Sequence, residues 1–365
     1  MNAVQDTVNN VLPTRRKKTD KWISFNAVCC PHNGETADTR SRGGVINSPD
    51  GAVSYHCFNC GFKTSWRPGW NLSYKFRKLL KWLGAEENTI QYLVLEAIRI
   101  KDTVAPEEQI PATDIATVHF VPRPLPAETA TIDEWATMVR LSLEYDNNGE
   151  VSYEQIVAAC PPRLLDAVDY LHKRKVDLRK YQLSISDDEA YNMHKRVIVP
   201  FTWQGEVIGY TGRSITDDVK PKFHNSHDAG YVFGVDHQLH DAKFVIVVEG
   251  PFDAMSVDGV AVLGSHPSET QIDIIDNLSR EVIVVPDFDK HVDKRGKLVW
   301  PGAQLIDTAL DCGWSVSFPV WRETCKDVNE AVVKYGKLFV IKSILDSVEK
   351  SRLKIELIKK RIHTS

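Results

Sequence analysis

The sequence predicts a multidomain chain of mixed α+β and α/β class. It reads as a small cysteine-rich ribbon, a helical and proline-rich connection, a larger α/β core and a helical tail. Three observations predict this. Four of the seven cysteines lie between positions 29 and 60. Residues 104–131 carry Pro106, Pro111, Pro122, Pro124 and Pro126, the composition of a connecting segment. From 196 onward come the β-branched runs RVIVPF, VIGYTG, FVIVVEG, VAVLG and VIVVPD, and helical segments alternate with the later ones, at roughly 253–258, 268–279, 302–312 and 328–348. That alternation is the texture of parallel strand–helix–strand units. A chain of 365 residues accommodates two or three domains. The expected boundaries are 1–70, 71–131, 132–240, 241–336 and 337–365.

The first element is built around Cys29-Cys30-Pro31-His32 and Tyr55-His56-Cys57-Phe58-Asn59-Cys60. Two residues separate Cys29 from His32, and two separate Cys57 from Cys60. A tight turn at each pair points both side chains at one ion. Three thiolates and one imidazole suit tetrahedral zinc with no open position, which makes it a structural ion. Cys29, His32, Cys57 and Cys60 are the expected ligands, with Cys30 and His56 as neighbouring substitutes. Clustered cysteines in a chain without a secretory signal argue for metal and against disulfides. Arg40, Arg42, Lys63, Trp66, Arg67 and Trp70 surround the pairs. Cations for phosphates and rings for bases point to single-stranded nucleic acid as the partner.

The second element, 74–99, has apolar residues at helical spacing, and 132–182 reads as helical again. Net charge is +7 over 1–101, −9 over 102–190, −7 over 191–336 and +5 over 337–365. Both ends can therefore meet a polyanion, while the middle is acidic. No apolar run reaches the roughly 18–20 residues of a membrane helix. A cytoplasmic location with no membrane partner is the expectation. The tail, 337–362, reads as a basic amphipathic helix or helix pair, open to DNA or to a protein partner.

The core places carboxylates at strand ends. The apolar runs 244–248 and 282–285 read as central parallel strands. Sites in open α/β sheets form at the carboxyl ends of such strands. Glu249 ends the first strand and Asp253 falls in the first turn of the next helix; Asp287 and Asp289 follow the second strand, alternate in an extended segment and so facing one way. Crowded carboxylates repel unless a cation lies between them. Oxygen ligands favour magnesium or manganese, ions that bridge phosphates and activate a hydroxyl.

Glu249-Gly250-Pro251-Phe252-Asp253 followed by Asp287-Phe288-Asp289 resembles the TOPRIM signature shared by bacterial-type primases, topoisomerases and some nucleases. Lys326-Asp327-Val328-Asn329-Glu330 is similar to the KDPNE-like segment that ends the primase version, and adds Asp327. Arg196–Phe201, Gly205–Arg213, the segment Pro221-Lys222-Phe223-His224-Asn225-Ser226 and Tyr231–Val235 resemble further strands of DnaG-type primases. The stretch YLHKRKVDLRKYQLS at 170–184 looks like the helical element that precedes them. The family resembled is that of the DnaG-type primases, in a compact form of the kind bacteriophages carry, which would place it in the host cytoplasm.

The resemblance implies an RNA polymerase that writes short primers on a single-stranded DNA template from ribonucleoside triphosphates, with a separate replicative helicase as partner. It makes 1–70 the template-binding zinc domain, 132–240 the first half of the polymerase core and 241–336 the TOPRIM half. It implies that Glu249, Asp287 and Asp289 hold magnesium or manganese, with Asp253 and Asp327 in support. It implies that Arg196, Arg213, Lys222 and Asn225 hold nucleotide or template. The sequence departs from the family at KHVDKRGKLVW (290–300), a basic insert after Asp289, and at Val328, which replaces a common proline. Lys290, Lys294, Arg295 and Lys297 of that insert either steer nucleic acid or form a solvated loop. The family's C-terminal helicase-binding domain corresponds at most to 337–365. A TOPRIM nuclease and a non-catalytic zinc-ribbon adaptor for a helicase are the competing readings.

Overall fold

The computed structural model describes residues 2–19, 22–103, 118–146, 152–178, 180–239, 241–292, 296 and 298–364. The expected linker at 104–117 and Lys294, Arg295 and Lys297 of the basic insert lie outside the described residues. The chain forms two compact units, one of residues 1–118 with 269–280, the other of 119–268 with 281–365.

The first unit begins with helix α1 (Ala3–Val11), whose first turn is closed by the Asn2 side chain accepting from the Gln5 amide. A five-stranded antiparallel meander follows: β1 (Arg16–Lys18), β2 (Ile23–Phe25), β3 (Gly43–Asn47), β4 (Val53–Cys57) and β5 (Lys63–Trp66), paired in chain order. In β4, Val53, Tyr55 and Cys57 face inward and alternate with Ser54 and His56, the period-2 pattern of a half-buried strand. Helices α2 (Tyr74–Trp82) and α3 (Glu87–Thr103) complete a core that contains Phe25, Val45, Tyr55, Trp66, Phe76, Leu79, Leu80 and Leu93. A long-range element joins this unit, the helix Glu269–Asn277, α8 in chain order. Lys75 pairs with Asp273 at 2.5 Å and Arg77 with Asp276 at 3.3 Å, the latter pair almost wholly buried.

The second unit holds two sheets. The first contains β6 (Thr129–Thr131), β7 (Ser184–Ser186), β8 (Arg196–Trp203), β9 (Glu206–Ser214) and β10 (Phe223–Ser226), in antiparallel order β10-β9-β8-β7-β6. The β8–β9 hairpin turns through Gln204 and Gly205, both at positive φ, a backbone that suits the twist of a two-residue hairpin. Between β6 and β7 run α4 (Ile132–Asp146), α5 (Tyr153–Ala159) and α6 (Pro162–Lys173). The expected helical stretch 132–182 is thus three helices; α5 ends at Cys160 and Pro161-Pro162 opens α6, since proline cannot continue a helix but starts one well.

The second sheet contains β11 (Phe244–Val248), then, after helix α7 (Pro251–Val257), β12 (Val260–Ala261), β13 (Glu281–Val284), and, after the small hairpin β14 (His291–Val292) and β15 (Leu298–Val299) and helix α9 (Gly302–Cys312), β16 (Ser315–Ser317). These four run parallel in the order β12-β11-β13-β16. The expected run 328–348 divides at Gly336, whose φ of 86° lies in the left-handed region, into α10 (Val328–Tyr335) and α11 (Lys337–Asp346). Strand β17 (Val348–Glu349) adds an antiparallel edge, and α12 (Arg352–Thr364) ends the chain, so the tail is a helix pair. Among the described residues no helix is long and apolar enough to cross a membrane.

Candidate active site and metal centre

In the first unit the structure brings together Cys29, Cys30, Cys57 and Cys60, whose sulfur atoms all lie within 4.8 Å of one another. Cys29 Sγ is 3.4 Å from Cys60 Sγ, and Cys30 Sγ is 3.6 Å from Cys57 Sγ. A tetrahedron of thiolates around zinc, with bonds of about 2.3 Å, has edges of about 3.8 Å. The donor set therefore fits one zinc ion with no position left for a substrate. The expected ligand His32 is not in the cluster; Cys30 stands in its place. The short helical turn Cys30–Asn33 carries His32 to the exposed side, where its ring lies flat on Trp82, centroids 4.6 Å apart and planes 3° apart. The other substitute, His56, packs against Phe58 at 4.3 Å.

Burial pushes the Cys29 thiol well above its ordinary range and the Cys30 thiol up to about 11. Burial acts in the same sense on Cys57, but backbone N–H groups of Cys60 and Asn59 aimed at its sulfur bring it below the ordinary value. The same donors favour a metal-bound thiolate. One loop of the ribbon is pinned by Asp38, whose carboxylate accepts from the amides of Ala27, Arg40 and Arg42 and from Arg42 Nε, all at 2.8–2.9 Å. Although burial opposes it, those donors hold the Asp38 carboxyl far below the usual carboxylate range.

In the second unit Glu249, Asp253, Asp287, Asp289 and Asp327 line one cavity of about 400 Å³. The topology puts them there. Strands β11 and β13 are parallel neighbours with Val247 opposite Val284, so their carboxyl ends open side by side. The Asp287 amide donates to Glu249 Oε1 at 3.3 Å. Asp253 Oδ1 accepts from the Asn329 amide at 2.9 Å, and Asp327 caps α10 by accepting from the Glu330 amide at 2.7 Å. Gly250 leaves room for the Asp253 carboxylate, since a Cβ there would stand 2.8 Å from Asp253 Oδ2 and push it aside.

Burial, followed by the neighbouring carboxylates Asp253, Glu249, Asp327 and Asp289, pushes the Asp287 carboxyl up to about 9. Burial also pushes Glu249 and Asp253 up to about 7, and raises Asp327. Asp287 Oδ1 is buried with no hydrogen-bond partner among the described residues. An orphaned carboxylate oxygen amid four other carboxylates is the environment a divalent cation with oxygen ligands would relieve. The residues present fit magnesium or manganese on that ground.

The same cavity is lined by Thr211 and Arg213 of β9, Phe223 and Asn225 of β10, and Lys222 just before β10. Arg213 Nε donates to Tyr170 Oη at 3.0 Å, and its guanidinium lies 4.5 Å from the Phe223 ring centroid. Asn225 Oδ1 accepts from Thr211 Oγ1 at 2.5 Å, which orients its amide. Three of the four expected nucleotide-binding residues are therefore in the cavity.

Arg196 is not. It is 1% exposed. Its guanidinium donates to the carbonyls of Tyr191, Gly212, Lys222 and Pro221 at 2.9–3.2 Å. Four of its five donors are spent on backbone. This side chain holds β8, β9 and the start of β10 together and is not presented to a ligand. Arg196→Met is expected to destabilise the fold by about 3 kcal/mol or more, because buried acceptors lose a charged donor. Denaturant unfolding of the variant checks this, and a wild-type midpoint would refute the assignment.

Residues not singled out from the sequence also line the cavity, notably Arg174, Lys326 and His227. Arg174 and Lys326 stand inside segments similar to the primase pattern; nothing in their spacing marks them as facing the carboxylates. His291–Val292 and Leu298–Val299 of the basic insert pair as β14 and β15, and Lys290 Nζ donates to the Ile362 carbonyl of α12 at 2.6 Å.

No family model matches the chain. Over 163 residues it is 29% identical to a DNA primase of Aquifex aeolicus (strain VF5), a stretch that is 39% of this chain and 30% of that protein's length. Among solved structures, the zinc-binding and RNA polymerase domains of the Aquifex aeolicus primase cover 99% of this chain and 88% of their own, at 19% identity and a TM-score of 0.41. The RNA polymerase domain of Mycobacterium tuberculosis primase DnaG covers 60% of this chain and 84% of its own, at 18% identity and a TM-score of 0.41. Over the 163 matched residues, which span less than a third of the Aquifex protein, the chain is similar in sequence to a DNA primase.

Proposed function

We propose that this chain synthesises short RNA primers on single-stranded DNA by joining ribonucleoside triphosphates in the carboxylate cavity, each 3′-hydroxyl attacking an α-phosphorus with release of pyrophosphate. The observation that carries the reading is that one cavity is lined both by five carboxylates and by Arg213, Lys222 and Asn225. A triphosphate needs both: cations for its own charge and a carboxylate-held divalent ion at the reacting phosphate.

In this reading Glu249, Asp287 and Asp289 hold magnesium or manganese. The bound ion would neutralise phosphate charge and lower the pKa of the attacking 3′-hydroxyl. Asp253 and Asp327, each committed to a backbone amide, keep α7 and α10 in register with the ligating carboxylates. Arg213, fixed by Tyr170 and Phe223, presents its guanidinium as an oriented fork, while Lys222 acts as a mobile point charge. The four-cysteine ribbon, with residues 1–70, would take the template, and a separate helicase would deliver it.

The test is synthesis itself. Zinc-loaded protein is mixed with mixed-sequence single-stranded DNA, four ribonucleotides and magnesium, and short labelled RNA is sought. Template-dependent RNA that disappears in Asp289→Ala, with folding unchanged, is the expected result. Shortened DNA without RNA would replace the polymerase by a nuclease using the same carboxylates.

A further inference from the structure

Asn329 is buried to 3% exposure, and every hydrogen-bonding group of its side chain is engaged. Its Oδ1 accepts from Arg174 Nη1 at 2.7 Å. Its Nδ2 donates to the Arg174 carbonyl at 2.9 Å and to Ser256 Oγ at 2.8 Å. Its backbone N–H donates to Asp253 Oδ1 at 2.9 Å. One residue therefore joins the end of α6, the middle of α7 and the first turn of α10. It lies two positions beyond Asp327, whose neighbour Lys326 accepts from the Phe288 amide at 2.6 Å, between Asp287 and Asp289.

The other partner in this network is Arg174. Its guanidinium lies 5.0 Å from the Tyr170 ring centroid and 5.1 Å from that of Phe252, and it lines the carboxylate cavity. Among the described residues it has no carboxylate oxygen at ion-pair distance, although its charge reaches Asp253 and Asp327; the Asn329 amide oxygen is its hydrogen-bonded side-chain partner. A guanidinium packed beside two rings that meet edge to face, and held at one nitrogen, is preorganised and loses little freedom when an anion arrives.

Building on the proposed nucleotide chemistry, we propose that Asn329 is a positioning residue that acts through Arg174. It aims the guanidinium into the cavity to receive the phosphates of a nucleoside triphosphate, while its backbone amide engages one oxygen of Asp253. The amide is suited to this work because it binds both the side chain and the carbonyl of the same arginine. A residue with only one polar end, such as serine, cannot do so.

A double-mutant cycle read by binding tests this. The full chain and its Asn329→Ala, Arg174→Met and doubly substituted forms are titrated with a fluorescent ATP analogue, with thermal melting as a control. Ser256→Ala, which removes one partner of the amide without touching Arg174, is the milder companion should Asn329→Ala fold poorly. The expected result is that Asn329→Ala weakens ATP binding about tenfold, and Ser256→Ala about two- to threefold. In the Arg174→Met background each would add less than twofold. During primer synthesis the loss would fall on the KM for nucleotide more than on kcat. The same weakening with and without Arg174 would show that Asn329 merely supports the fold, and would overturn the proposal. Because ATP binding is read without catalysis, an absence of RNA synthesis by the wild type would refute the polymerase reading and leave the cycle interpretable.

Discussion

Asp287→Asn is expected to reduce RNA synthesis by about a thousandfold or more and at the same time raise the melting temperature of the magnesium-free protein. Both effects come from one carboxylate. Its Oδ1 is buried without a partner, and burial with the surrounding carboxylates pushes its pKa from 3.8 to about 9. Without a cation the ionised form is unfavourable in the folded state, so folding near neutral pH takes up a proton. A carboxyl whose folded pKa is raised leaves stability intact below the unfolded value and loses it as pH rises through the folded one. The window here runs from about 3.8 to about 9. Asparagine keeps the shape and has nothing to ionise. The melting-temperature difference between variant and wild type should therefore be near zero at the acid end and widen toward pH 9. Magnesium should narrow it by stabilising the wild type. The backbone contacts of Asp287, its amide to Glu249 and its carbonyl to Trp300 Nε1, do not involve the substituted group. The catalytic loss follows because an ion that stabilises transition-state charge contributes several kcal/mol, and each 1.36 kcal/mol is a factor of ten. Full RNA synthesis by the variant, or a melting difference independent of pH, would sink the assignment.

The parts of this arrangement that were legible in the sequence are those set by local rules. Buried parallel strands read as continuous apolar runs, so FVIVV and VIVV declare themselves, and topology fixes what happens at their ends. Glu249 and Asp287 could be placed beside each other before any coordinates. Arg196 could not be placed. It stands at the head of a strand in a segment that resembles a nucleotide-binding one, and only the carbonyls of residues 191, 212, 221 and 222 reveal that it points inward. The helix Glu269–Asn277 was foreseen as a helix. Its ion pairs with α2 link residues far apart in the chain, which periodicity does not encode. Asn329 was hidden for the same reason, since its partners come from two other elements, the end of α6 and α7. The division of 132–182 into three helices was available in Cys160-Pro161-Pro162, and the break at Gly336 in a single glycine.

The metal centre turns on one such local ambiguity. Spacing alone selects Cys29 and His32 as a pair, whereas the fold uses the adjacent thiols Cys29 and Cys30 and leaves the His32 ring on Trp82. Cys30→Ala is therefore expected to lower bound zinc well below one per chain and to destabilise the first unit by several kcal/mol, because metal-binding energy in a small ribbon is folding energy. His32→Ala is expected to keep its zinc and lose only the stacking contact, about 1 kcal/mol. Metal content by elemental analysis and melting followed by tryptophan fluorescence separate the two, since Trp66 is fully buried in the same core. Zinc affinity should also fall as pH is lowered, because the ligands bind as thiolates and burial holds Cys29 and Cys30 above the ordinary thiol range. If His32→Ala lost the metal and Cys30→Ala kept it, the ligand set would be the one that spacing suggests. The helical turn Cys30–Asn33 would then have to rotate to bring the imidazole inward and Cys30 outward.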